Sequence, residues 1–165
     1  MEERNTLLIN QSTIKELLDI ADFNNLVHQT FQGLGDGTVI NPTKLTLDLG
    51  ETGGYPPYEG FMNAMPAYIG SQDIAGLKWV GGFLGERKTA GLPYITGMIL
   101  LINPHLGTFT AALEGAYITN MRTGAKTANA LRYLLKKPTV TIGLYEAGMQ
   151  ASTNIRAIED MLGIN

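Results

Sequence analysis

The hydrophobic period changes twice along this chain, and that restricts the folds open to it. From residue 14 to residue 34 apolar side chains recur at helical spacing: Ile14, Leu17 and Leu18, then Leu26, Val27, Phe31 and Leu34. Thr13 and Glu16 have capping-box spacing, Asp22 is a start signal for the second helix, and Gly33, Gly35 and Gly37 end it. The period then becomes two. Leu45, Leu47 and Leu49 alternate with Lys44, Thr46 and Asp48, as in a half-buried strand. Pro56 and Pro57 make 52–58 a loop, since proline cannot donate to a ladder. Segments 61–69 and 74–83 read as further strands, and 94–102, nearly all apolar, as one buried on both faces. Asn103 to Gly107 reads as a hairpin turn returning through 108–113. Helical spacing resumes over 117–135, with Ile118, Met121, Ala125, Ala128, Leu131 and Leu135 on one side, until Lys136-Lys137-Pro138. A strand (139–144) and a helix (about 148–162) follow. The order predicts an α+β fold: an antiparallel, strand-rich domain with flanking helices, then the first βα unit of an α/β domain.

Composition removes several classes of function. A net charge of −3 without a basic stripe gives no footprint for nucleic acid. The absence of cysteine excludes disulfides and thiolate metal sites and suits a reducing, cytoplasmic setting. His28 and His105 share no metal-ligand spacing. His28 reads as a partly buried or surface residue and His105 as an exposed turn residue. The first residues lack a signal-peptide pattern and no apolar run reaches about 18 residues, so no membrane partner is expected. Asp48, Glu51, Glu59 and Glu114 offer no paired-carboxylate spacing.

Three cations stand out. Lys78 lies in an apolar strand and by alternation shares a face with Gly76 and Val80. Lys44 lies on the polar face of its strand. Arg122 falls near a helix start, between Met121 and Thr123, where free backbone N–H groups also favour an anion. Converging Lys and Arg groups would give charge-assisted hydrogen bonds to a carboxylate. The plain alternatives remain open: lysine stems covering apolar surface with their heads in water, and an arginine in a surface ion pair. A second candidate is Glu146-Ala-Gly-Met-Gln-Ala151. A dinucleotide-binding turn needs glycine at three positions, for the turn, for close approach of the pyrophosphate and for helix packing. Gly148 fills the middle one and Ala151 the third, but Glu146 puts a side chain and a negative charge at the first.

These segments occur in an informative order: Lys78-Trp-Val-Gly-Gly-Phe83, Gly91-Leu-Pro-Tyr-Ile-Thr-Gly97, Glu114 through Arg122-Thr123-Gly124 to Ala128, and 139–151. Together they resemble the ornithine cyclodeaminase/mu-crystallin family, from about residue 7 to the last residue. The resemblance implies a substrate-binding and dimerisation domain over 1–136, open-barrel-like and closing across a two-fold axis in a homodimer. It implies the start of a truncated Rossmann-like, dinucleotide-binding domain over 137–165. It implies that Lys44 (where arginine is usual), Lys78 and Arg122 bind the carboxylate of a small amino-acid or imino-acid ligand. Arg122, Thr123, Gly148, Met149 and Gln150 would border NAD(H) or NADP(H). The intact family cyclises ornithine with loss of ammonia, reduces ketimines or acts as an amino-acid dehydrogenase. Its members are about twice this length, and its catalytic Asp has no counterpart here. The expectation is therefore the N-terminal substrate-binding portion of such an enzyme, inactive alone and binding no nicotinamide cofactor. The alternative is a non-enzymatic small-molecule-binding or assembly module, which Glu146 favours. No metal site is expected.

Overall fold

The computed structural model describes residues 5–50, 58–137 and 139–164. The chain forms two compact units, each built from two separated stretches: Met1–Gln11 with Gly33–Ala116, and Ser12–Gln32 with Tyr117–Asn165. The sequence expectation of a boundary at 136/137 does not fall between them, because the helix before that point shares a core with the helix after it. The predicted proline loop at 52–57, Glu51 and Pro138 lie outside the described residues.

The first unit is a sheet of β1 (Leu7–Ile9), β2 (Val39–Ile40), β3 (Leu45–Asp48), β4 (Gly60–Ile69), β5 (Ile74–Phe83), β6 (Ile95–Asn103) and β7 (Thr108–Glu114). Its order is β1-β7-β6-β5-β4-β2, with β3 also paired to β4. β1 is parallel to β7, and the other pairs are antiparallel. Two short strands share one edge of the long β4: β3 covers Phe61–Ala64 and β2 covers Tyr68–Ile69. Pro66 falls in the gap between them, where its missing N–H costs no ladder bond. The predicted hairpin turn is present: the Gly107 amide donates to the Asn103 carbonyl at 2.9 Å, and Gly107 takes φ 64°, a conformation glycine adopts without strain. A bulge follows. Leu101 pairs Ala111 and Ile102 pairs Phe109, so Thr110 is the extra residue, and Phe109 is turned to the face opposite Ala111.

Alternation gives this sheet two unlike faces. Val80, Asn63 and Ala111 are buried on one. On the other, Trp79 is 53% exposed beside its cross-strand partner Met98 at 52%, and Leu8, Leu45, Leu47, Ile40 and Phe109 are exposed too. β6 is therefore not buried on both faces as its composition predicts, and Leu45 and Leu47 lie bare on the apolar side of β3.

The second unit holds α1 (Gln11–Leu17), most of α2 (Ile20–Gly35), most of α4 (Gly115–Leu134) and α5 (Met149–Leu162); the short α3 (Gly85–Thr89) belongs to the first. Thr13 lies inside α1 rather than at its cap. The cap that does form is at α2, where Asp19 and Asp22 each accept the other's backbone N–H, at 2.9 and 3.0 Å. Met121, Ala125 and Ala128 give α4 a buried stripe at i, i+4, i+7. Met121 and Ala125 pack on Phe23, with Tyr117 edge-on to it; Ala128 packs on Ala157 and Ile158 of α5. Asn24 ties α2 to α5, donating to the Ala157 carbonyl at 2.9 Å and to Asp160 at 2.6 Å. Residues 139–147 are not a strand, and 141–150 are exposed. Val140, Ile142 and Leu144 alternate correctly, but a strand needs a ladder, and the described part of this unit holds none to pair with.

Candidate functional site

Within the sheet unit, Lys78 is half-buried and pairs across to Met65 and Ile99, on the face that carries buried Asn63 and Val80. That is the face alternation predicts for it. Asn63 accepts a 2.7 Å hydrogen bond from the Thr46 hydroxyl of β3, so the buried face has a polar spot beside Lys78. Lys44 is exposed and precedes Leu45, which pairs Ala64; Lys78 pairs the next residue of β4, Met65. Continuing the antiparallel register one residue past Leu45 sets Lys44 opposite Met65 as well, so the two lysines flank the same position of β4 from opposite sides, with backbones about 10 Å apart at two strand spacings. Sequence reasoning missed Thr46 and Asn63. Their alternation with Lys44 and Met65 was the available signal.

Within the helical unit, α4 starts at Gly115, where Glu114 accepts the Ala116 N–H at 2.7 Å. Arg122 is therefore about two turns inside the helix, and its own end-of-helix N–H groups are not part of any site: a correction to the sequence reading. What replaces them is burial. Arg122 Nε is buried with no hydrogen-bond partner among the described residues, and desolvation pulls the guanidinium below its ordinary value. The Thr119 hydroxyl, one turn back on the same helix, is likewise buried and unmatched. Thr123 bonds to its own helix, donating to the Thr119 carbonyl at 2.7 Å. Gly124 admits α5: a β-carbon there would stand 2.3 Å from the Thr153 carbonyl oxygen. Gln150 crosses the same gap, its amide donating to Asn120 at 2.9 Å.

The glycine turn is half built. Gly148 is the N-cap of α5 with no side-chain cap, nothing within 4 Å of where its β-carbon would be, and Met149 exposed beside it. That suits a pyrophosphate at a helix N-terminus. Glu146 does not: it holds φ 69°, the left-handed region that glycine favours, and it brings a carboxylate. Residues 141–147, which lead into this turn, are exposed and lie outside any strand. His28 meets Asn129 at 2.9 Å, and the exposed His105 meets Asp73 at 2.5 Å, so both histidines have structural partners. No cluster of metal-ligating side chains occurs among the described residues, and no described helix is long and apolar enough to cross a membrane. The depression on the open sheet face, lined by Ile40, Pro66, Tyr68, Leu77, Leu100 and Phe109, has no charged lining group for an amino acid.

The model of the ornithine cyclodeaminase/mu-crystallin family matches residues 4–165, and the chain belongs to that family. It is 30% identical to the nodulation efficiency protein NfeD of Rhizobium meliloti over 86% of this chain and 42% of that one. It is 29% identical to the alanine dehydrogenase of Archaeoglobus fulgidus over 96% and 46%. Among solved structures it matches the Δ1-pyrroline-2-carboxylate reductase of Thermococcus litoralis in complex with NADH and L-proline, at TM-score 0.85 and 29% identity over 94% of this chain and 46% of that one. An archaeal alanine dehydrogenase dimer with bound NAD matches at TM-score 0.83 and 28% identity, over 94% and 45%. The chain thus spans about half the length of the curated relatives it matches.

Proposed function

We propose that this chain is the amino-acid-binding and self-associating portion of an ornithine cyclodeaminase-like enzyme, working in the cytoplasm, with Arg122 as the principal group for the ligand carboxylate. The carrying observation is the buried, unmatched Nε of Arg122. A guanidinium withdrawn from water loses hydration that only an acceptor can replace, and a carboxylate supplies two. Lys78, and Lys44 beside it across β4, add positive charge on the sheet. The reductase that this chain resembles was solved with L-proline, which makes a small amino or imino acid the first ligand to try. Loss of one charged partner in a semi-buried site costs about 1.5–3 kcal/mol, or roughly ten- to a hundredfold in affinity. The test is calorimetry of the full chain with L-proline, L-alanine and L-ornithine. Arg122→Ala should lose binding by that factor, and Lys44→Arg should hold or slightly raise it, since a fork-shaped donor replaces a point charge. An Arg122→Ala chain that binds every acid as before would refute the assignment.

A second reading is a binding or assembly module that handles no nicotinamide cofactor. Glu146 favours it, as a carboxylate at left-handed φ where a pyrophosphate turn calls for glycine. Titration with NADH and NADPH, followed through Trp79 fluorescence, tests this reading: a low-micromolar dissociation constant for either cofactor would overturn the module, and with it the expectation that this portion binds no cofactor alone.

A further inference from the structure

We infer that the Thr119 hydroxyl is a second ligand-binding group on α4, donating to the same carboxylate that Arg122 holds; this rests on the reading of Arg122 above. Buried polar atoms nearly always find partners, and leaving one unmatched costs about 1–3 kcal/mol. Among the described residues three side-chain atoms break that rule: Asn24 Oδ1, Thr119 Oγ1 and Arg122 Nε. Asn24 has a structural reason to be there, because its amide anchors α5 through two hydrogen bonds. The other two lie three residues apart on one helix.

Helix geometry favours their meeting. Side chains on an α-helix lean towards its N-terminus, which is the direction from Arg122 to the turn that carries Thr119. Residues i and i+3 are surface neighbours about 5–6 Å apart at Cβ. A helical threonine has an easy acceptor in the carbonyl four residues back, and others in this protein use it: Thr123 bonds the Thr119 carbonyl at 2.7 Å and Thr30 the Leu26 carbonyl at 2.8 Å. Thr119 does not, although it is only 7% exposed and has little water to turn to. Its hydroxyl is spared from its own backbone, as a ligand group must be. An N–H and an O–H donor side by side with no carboxylate bonded to either form a receptor for an acceptor-rich anion and not for a cation. With Arg122 supplying charge, Thr119 supplies direction: a short hydroxyl on a rigid helix fixes which carboxylate oxygen lies over the α4 axis.

The experiment is calorimetry of the full chain and its Thr119→Val, Thr119→Ser and Arg122→Ala variants, with L-proline, L-alanine and L-ornithine as probes and with prolinamide and inorganic phosphate as controls. Urea unfolding of each variant is followed in parallel. The inference expects Thr119→Val, close in shape, to lose five- to tenfold in affinity for the acids with unfolding midpoint unchanged or raised. Thr119→Ser should stay within twofold of the parent, and prolinamide should bind none of the four chains. If Thr119→Val keeps full affinity while Arg122→Ala loses it, Thr119 is not a ligand group and only this inference falls. If Thr119→Val lowers stability along with affinity, the hydroxyl is structural and the inference is likewise overturned. Phosphate competing as well as the acids would mean a general anion site and would remove the carboxylate assignment. Should Arg122→Ala bind unchanged, or the parent chain bind none of the three acids, the reading of Arg122 falls and takes this inference with it.

Discussion

The backbone of α4 at Gly124 and that of α5 at Thr153 are in direct contact: a β-carbon on Gly124 would lie 2.3 Å from the Thr153 carbonyl oxygen and 2.6 Å from its carbon. Backbone cannot swing aside as a side-chain tip can. Gly124→Ala should therefore force the two helices apart and cost at least about 1–3 kcal/mol, the usual range for overpacking. Ala128, Ala157 and Ile158, the core the two helices share, would loosen with it. Urea unfolding measures the loss, and a midpoint equal to the parent's would show that the helices do not depend on this contact.

Glu146 gives a prediction of opposite sign. A residue with a β-carbon pays roughly 1–2 kcal/mol to hold left-handed φ, and glycine does not. Glu146→Gly should relieve part of that, up to about 1 kcal/mol, since the more flexible unfolded chain takes some of it back. It should not by itself create tight cofactor binding, because the exposed, unpaired 141–147 segment is unchanged. Calorimetry with NAD and NADP checks this, and a low-micromolar dissociation constant in the variant would make the one side chain the whole obstacle.

The open sheet face predicts self-association. Burying one large apolar side chain is worth about 1.5–3 kcal/mol, and Trp79, Met98, Leu47 and Leu8 all stand bare on this face. Sedimentation at micromolar concentration should show a dimer for the parent chain. Trp79→Glu should give a monomer with its helical circular dichroism intact. A parent chain that sediments as a clean monomer would remove the proposed interface.

A pH effect is expected at the end of the sheet where the β4–β5 and β6–β7 turns meet. Asp73 is held below the ordinary carboxylate value, first by the Tyr68 hydroxyl at 2.9 Å and then by His105 at 2.5 Å. A carboxylate with a lowered folded-state value stabilises above its unfolded value of 3.8, and that stability is lost as pH falls through the folded value. Asp73→Asn should thus lower the urea midpoint slightly at pH 7 and progressively less as pH falls below 3.8. Asparagine tolerates the left-handed φ of 48° at this position, so the comparison isolates charge. A difference that persists unchanged in acid would show that ionisation of Asp73 is not involved. The cluster is exposed, so the whole effect should be small and salt-sensitive.

Much of the sheet was legible because its signals are local. Alternation located β3, β4 and β5 and gave the face of Lys78, and Asn103 to Gly107 announced its own turn. β1 and β2 carry too few residues for any period to show, and they exist because β7 and β4 offer them edges. The strand expected at 139–144 failed for the converse reason: pattern without a neighbour makes no ladder. Arg122 was found by motif but misplaced at the helix start, since Gly115 is a poor helix former and only Glu114 shows the true beginning. That Thr119 lacks a partner could not be read at all, because a hydroxyl is unmatched only relative to everything packed round it.

The pairing of β1 with β7 has a consequence for the order of synthesis. Leu7 lies opposite Ala111, and Ile9 opposite Leu113. On a ribosome the first strand emerges and must wait until about a hundred further residues have been added before its place exists. Phe23 waits in the same way for Met121 and Ala125. Neither unit can close on a growing chain until α4 is under way. Closing loops of that length costs entropy before any contact repays it, so folding should be late, abrupt and slow rather than progressive. During that interval β1 is itself without a partner and open to whatever strand edge reaches it first.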